Sequence, residues 1–192
     1  MTGVADSHPS DVSVEHDGHR AGITFEPFDS EHLGLAVGRV QVISTALDEP
    51  ALADLLRSAT ARARDAGYDH VIRRVPASAF EHIWALEATS FRLMDVGVTF
   101  GRRVDRQLPE PVSTDVVVRP ATAEDVEDLL DTMLEVPWGS RYEADPDYRR
   151  DAVQRLQAQW LRNSLSTRAD HVLVGHLDGR AAGYVTCRLV EE

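Results

Sequence analysis

There is no lysine in the 192 residues; all twenty basic side chains are arginine. Lysine codons are AT-rich, and the single asparagine and four isoleucines fit the same GC-rich coding bias. The absence still excludes chemistry. A Walker-type phosphate loop needs its lysine to reach the β- and γ-phosphates, and a Schiff base needs a lysine amine. ATPases and kinases of that type, and pyridoxal enzymes, therefore fall away. The one cysteine, Cys187, rules out an intrachain disulfide and a zinc knuckle. It falls mid-strand, where it reads as a small hydrophobe and not as a nucleophile. Positive charge is scarce: 20 arginines face 32 acidic residues, for a net charge of −12. That balance argues against nucleic acid, whose phosphates need a basic footprint, and against an anionic membrane surface. A small anionic ligand stays open, because a local arginine cluster acts against the global sign. No apolar run approaches the roughly eighteen residues of a membrane span. The N-terminus lacks the basic-then-apolar pattern of a secretory leader, so a cytoplasmic location is expected.

Hydrophobic residues make up 43% of the chain and charged residues 27%, ordinary values for a globular protein. The length allows one large or two small domains. Residues 1–21 are polar and read as a disordered tail. His16 and His19 beside Glu15 and Asp17 lack a preorganised scaffold, so no metal site is assigned. Order is expected from Gly22, with a strand over Ile23–Phe28 and a second over Leu33–Ile43, where Gly34 and Gly38 suggest a bulge or close backbone approach. Pro50 opens a helix that carries Leu52, Leu55, Leu56, Ala59, Ala63 and Ala66 on one face and ends at Gly67. A strand His70–Pro76, a helix Ala79–Ala88 and a strand Phe91–Phe100 complete an α/β domain over 22–103. Spaced prolines among polar residues make 104–114 a linker.

The second domain, 115–192, reads β-α-α-β-β. It opens with a strand Asp115–Arg119 and a helix whose capping signature sets Thr122 three residues before Asp125. A loop Val136–Asp145 and a longer helix from Pro146, capped by Asp145, lead to the closing hairpin. There Asp178-Gly179 joins two β-branched runs, His171–Leu177 and Ala181–Val190. The last strand is apolar enough to belong inside a sheet. An upstream strand, another copy in a homo-oligomer, or further sequence in a longer polypeptide is expected to cover its edge.

The run Val-Arg-Pro-Ala-Thr, the acidic-capped helix, the second helix and the Asp-Gly hairpin followed by Ala-Gly-Tyr-Val resemble the opening half of a GNAT-type acyl-CoA N-acyltransferase, here Val116–Val190. Ala85–Leu93 followed by Met94-Asp95-Val96 is similar to that family's late helix-into-strand element, with Ser90 where glycine is usual. More narrowly, the chain resembles amino-sugar acetyltransferases of the TDP-fucosamine acetyltransferase group. That likeness rests on Phe28-Asp29-Ser30 with Leu33-Gly34, Arg73-Arg-Val-Pro76, Leu93-Met-Asp95, Val98-Thr-Phe100, Ser140–Asp145 and Trp160–Ser164. It implies a degenerate N-terminal GNAT-like half and an incomplete C-terminal GNAT domain. It also implies acetyl-CoA as co-substrate and, as acceptor, the amine of a small molecule, with a nucleotide-linked amino sugar as first choice. The chain departs from the family at the cofactor. No Arg or Gln precedes a Gly-x-Gly/Ala loop at the family's spacing, and the general-acid tyrosine lies later in the family than any tyrosine here. A truncated acyltransferase is therefore expected, with no catalytic or cofactor-binding residue assigned. A non-catalytic binding or assembly module is the alternative.

Acceptor recognition is the role left for Trp138, Arg141, Tyr142 and Asp145, which offer aromatic faces and a guanidinium for phosphate. The competing expectation is structural: Arg141 pairs with Asp145, Asp145 caps a helix and Trp138 packs at a domain edge. Asp29, Arg73 and Arg74 are weaker candidates. His32, His70, His82, His171 and His176 lie on separate elements.

Overall fold

Two Asp-Gly dipeptides set the strand pairings that frame the fold. The structure, a computed structural model, describes residues 8–45, 47–100, 103, 115–135 and 139–189. The chain forms two compact units, Met1–Val96 and Gly97–Glu192, and the architecture is mixed α/β. The expected linker over 104–114 lies outside the described residues.

In the first unit β1 (Val12–His16) and β2 (His19–Phe25) form an antiparallel hairpin with Val12 opposite Ile23. Asp17 (φ 48°) and Gly18 (φ 78°) supply the two left-handed residues of its turn. The expected disordered tail over 1–21 is thus corrected from Val12 onward. Its few apolar residues alternate, so Val14 and Ala21 reach the core while the charged neighbours face water. Ahead of β1, the Asp11 carboxylate accepts the Phe25 N–H at 3.1 Å.

The chain then turns into α1 (Pro27–Leu33), where the sequence reads as strand. Pro27 sits at the first turn, where its missing N–H costs nothing, and Gly34 (φ 72°) ends the helix in the left-handed region. Ser30 locks the junction: its hydroxyl donates to the Glu26 carbonyl and accepts the Val37 N–H. β3 (Val37–Val42) pairs antiparallel with β2, and β4 (His70–Ile72) pairs parallel with β3. Between them runs α2 (Glu49–Asp65), capped by the Asp48 carboxylate on the Ala51 N–H. Its expected face holds: Leu52, Leu55, Leu56, Ala59 and Ala63 are buried against β1 and β2. Gly38 is a close approach. A Cβ there would lie 2.7 Å from Ile23 Cγ2 and 2.8 Å from the Tyr68 ring.

The strand expected over His70–Pro76 stops at Ile72. Beyond it Arg73 turns to His82, and the Pro76 carbonyl accepts the Ala79 N–H in the turn before α3 (Phe80–Ala88). The strand expected over Phe91–Phe100 is also corrected. No ladder forms there, and Leu93, Val96, Val98 and Phe100 stay largely exposed. Alternation makes a segment able to be a strand, but backbone N–H and C=O groups need a neighbouring edge to pair with.

The second unit carries a three-stranded antiparallel sheet, β5 (Val117–Pro120), β6 (His171–Leu177) and β7 (Arg180–Cys187), in that order. Asp178 (φ 52°) and Gly179 (φ 80°) close the β6–β7 hairpin as expected. α4 (Asp125–Glu135), α5 (Arg141–Ala144) and α6 (Arg150–Asn163) lie between β5 and β6, and a π-helical turn over Ser164–Arg168 follows α6. The observed order is therefore the expected β-α-α-β-β with one short helix added inside the loop. Leu129, Leu130 and Met133 of α4, Leu161 of α6, Val174 and Ala181 form the core.

Candidate functional site

Three side-chain groups in the described residues have enough chemistry to test as a site. The first is the one the sequence singles out. Arg141 and Tyr142 lie on α5, next to each other and next to its N-cap residue, Ser140, whose N–H is accepted by the Glu143 carboxylate at 3.3 Å. The Arg141 guanidinium lies 3.9 Å over the Tyr142 ring centroid and donates to the Tyr142 hydroxyl. Tyr142 is 5% exposed, 6.0 Å from Tyr148 and edge-on to Trp160 at 5.1 Å. Asp145 is 4% exposed, and its carboxylate accepts the Asp147 N–H at 3.0 Å, a local turn that aims the chain toward α6. The N-cap of α6 is Arg149, so the expected capping by Asp145 is replaced by this turn. Arg141 and Tyr142 are thus brought together, but Tyr142 and Asp145 face inward. An incoming sugar or base meets neither unless α5 moves. Trp138 lies outside the described residues.

The second group forms where β5 enters α4. Asp125 is 4% exposed and receives a two-pronged contact from Arg119, Nη1 to Oδ2 at 2.8 Å and Nη2 to Oδ1 at 2.6 Å. The Thr122 N–H donates to Oδ2 at 2.7 Å and the Thr122 hydroxyl at 3.1 Å. His176 on β6 brings Nε2 within 3.1 Å of Oδ1. The Arg119 hydrogen bonds and then the Thr122 donors outweigh burial, and hold the Asp125 carboxyl well below the usual carboxylate range. Sequence reasoning found Thr122 and Asp125 as a cap but missed Arg119 and His176. The first lies on a strand and the second fifty residues away, and no local period links them. The carboxylate is saturated by its donors, so this cluster is a clamp and not a proton shuttle.

The third is a cavity of about 430 Å³ between α4 and β7. Leu129, Thr132 and Met133 line it from α4, and Gly183, Tyr184 and Thr186 from β7. Among the described lining residues the polar side-chain groups are hydroxyls, with no Asp, Glu, His or Arg. The Thr132 hydroxyl contacts the Ala181 carbonyl at 2.7 Å. Burial pushes the Tyr184 phenol above its ordinary value, so at neutral pH it is a protonated donor and not a base. The space is open to solvent, so it holds a small ligand against a wall without enclosing it, and the lining suits an uncharged portion of one.

Of the weaker candidates, Arg73 and His82 come into direct contact. Asp29 is buried on α1, Arg74 is exposed after β4, and Arg73 sets Nη2 2.8 Å from His82 Nδ1. Burial lowers the Arg73 pKa, and burial followed by the Arg73 charge lowers that of His82. His32 stacks on Phe28 at 4.4 Å. Ser58, His16 and Asp17 approach a nucleophilic-triad order, with Ser58 Oγ 3.1 Å from His16 Nδ1. Asp17, however, stands 3.7 Å from His16 Nε2 and is 87% exposed, too far and too solvated to orient an imidazole.

No protein-family model matches the chain, and no curated protein matches it. Among the described residues, no helix is long and apolar enough to cross a membrane.

Proposed function

We propose that this chain carries the acceptor-binding part of an N-acyltransferase of the GNAT type, a relative of the amino-sugar acetyltransferases. The reaction is transfer of an acetyl group from acetyl-CoA to the amine of a small molecule, with a nucleotide-linked amino sugar as first choice. The observation that carries the reading is the β5-α4-α5-α6-β6-β7 order with an open depression between α4 and β7. In such chemistry the ammonium loses a proton, the free amine attacks the thioester carbonyl, and backbone amides hold the developing oxyanion. The described lining offers the Tyr184 and Thr186 hydroxyls and no base, since the Thr132 hydroxyl already donates to backbone carbonyls, so the proton passes to water or to a group outside this lining. The 192 residues contain no Arg- or Gln-led Gly-x-Gly/Ala loop for the CoA pyrophosphate. Weak affinity for acetyl-CoA is expected.

Calorimetric titration of the full chain with TDP-amino sugars and with acetyl-CoA, beside an assay for released CoA thiol, tests the proposal. Acceptor binding that weakens several-fold in Tyr184→Phe or Thr186→Val supports it. No binding of any acceptor together with no thiol release overturns it.

A second reading has its own observation. The described lining residues include no carboxylate, imidazole or guanidinium, which fits a non-catalytic GNAT-like module for binding or assembly. Acceptor binding without thiol release, in the presence or absence of added acetyl-CoA, selects it.

A further inference from the structure

β7 is hydrogen-bonded to β6 and, among the described residues, to no other strand. Among the described residues, the backbone donors and acceptors on its outer side meet no further strand. Native edges are guarded by lysine, proline, inward charges or bulges. The residues Gly183-Tyr-Val-Thr-Cys187 carry none of these, and the one irregularity of the β6–β7 ladder lies toward the turn, at Gly175 and His176. Val185 is 61% exposed and Leu189, just past the strand, is 71% exposed. Along the same edge, Leu129 and Met133 of α4 reach the cavity that Tyr184 and Thr186 also line. The helix layer thus offers apolar surface at the open margin of the sheet.

We infer that this edge pairs with the same edge of a second copy, antiparallel about a two-fold axis through Val185. The segment is self-complementary in that register. Val185 meets its own copy on the axis, Tyr184 stands opposite Thr186, and Gly183 opposite Cys187. Aromatic with β-branched is among the favourable cross-strand pairs. A shift of one residue, centred on Tyr184, sets Arg180 opposite Arg188, and like charges directly opposed are destabilising. The two-fold axis stands perpendicular to the sheet, so the helix side of one copy continues into the helix side of the other. Each Tyr184 then approaches the margin of the neighbouring cavity. The product is a continuous six-stranded sheet, and an isologous two-fold is the commonest way identical chains close an assembly. This inference does not depend on any acyltransferase activity.

Sedimentation velocity on the full chain, with a cross-link, tests it. The wild-type chain is expected to sediment as a dimer. Val185→Lys, a change at an exposed position, places two ammonium groups on the axis and is expected to raise the dimer dissociation constant about a hundredfold or more. Val185→Cys in a Cys187→Ser background is expected to be joined into a covalent dimer by a short bis-maleimide linker, because opposed Cβ atoms lie about 4.5–5.5 Å apart, wider than a disulfide spans but within such a linker's reach. A wild-type chain that stays monomeric overturns the inference. So does a dimer that Val185→Lys leaves intact, or one in which the cysteine at 185 does not cross-link.

Discussion

Asp125 shows how one side chain can hold a junction between a strand and a helix. Its two oxygens serve Arg119, Thr122 and His176, so the carboxylate fixes the β5–α4 turn and ties it to β6. Removing it takes the acceptor from the partly exposed Arg119, the exposed Thr122 and the mostly buried His176. Asp125→Ala is expected to destabilise the second unit by about 1–2 kcal/mol, measured by urea unfolding at neutral pH, because water re-solvates Arg119 and Thr122. The pH dependence has a definite sign. The folded pKa lies below that of the unfolded chain, so the stabilisation is complete above an unfolded aspartate pKa of about 3.9 and is lost as pH falls toward the folded value. Unfolding midpoints measured from pH 6 down to pH 2 should drop below about pH 4 in the wild type, and drop less steeply in Asp125→Asn. Gly38 makes the opposite demand, for empty space. Gly38→Ala drives a methyl into Ile23 and the Tyr68 ring and is expected to cost about 1–3 kcal/mol. Thermal unfolding of the variant checks this. No loss of midpoint would mean that β3 shifts without penalty.

Elements follow local chemistry where a turn or cap is strong, and lose it where a partner is missing. Asp17-Gly18 and Asp178-Gly179 are the same dipeptide and make the same kind of hairpin. The second is legible because β-branched runs flank it; the first is hidden in a polar stretch with only Val12, Val14, Ala21 and Ile23 to mark the pattern. Hydrogen exchange separates a hairpin from a mobile tail. Inward ladder amides of β2, such as those facing β3, should be strongly protected, and the ladder amides of β1 measurably so. Exchange of the β1 amides at random-coil rates would return 12–16 to a tail. α1 is likewise marked by Pro27 and Gly34, but β-propensity in Ile23–Phe25 masks where the strand stops. Met94–Phe100 has the alternation of a strand and no ladder. Val98→Ser should change stability by no more than about 0.5 kcal/mol, as at other exposed positions, in chemical unfolding. A larger loss would show that the segment packs in solution.

At the scale of the whole chain there are two compact units, each with its own sheet and core. The amino-acid sequence by itself determined the mixed α/β character, the buried face of α2, the β6–β7 hairpin and the closing order of strands and helices in 115–189. All of these rest on periods of two or 3.6 residues and on turn dipeptides, which are local signals. It also excluded lysine-dependent chemistry and an intrachain disulfide within these 192 residues, because folding cannot supply a missing lysine or a second cysteine. Tertiary structure decided what becomes of individual side chains. Tyr142 and Asp145 look like ligand contacts in a polar loop, yet α5 turns them inward against Tyr148, Trp160 and the turn at Asp147. Arg119 and His176 look unrelated, yet neighbouring strands bring both to Asp125. Burial and proximity across fifty residues depend on how layers pack, and no window of sequence contains them.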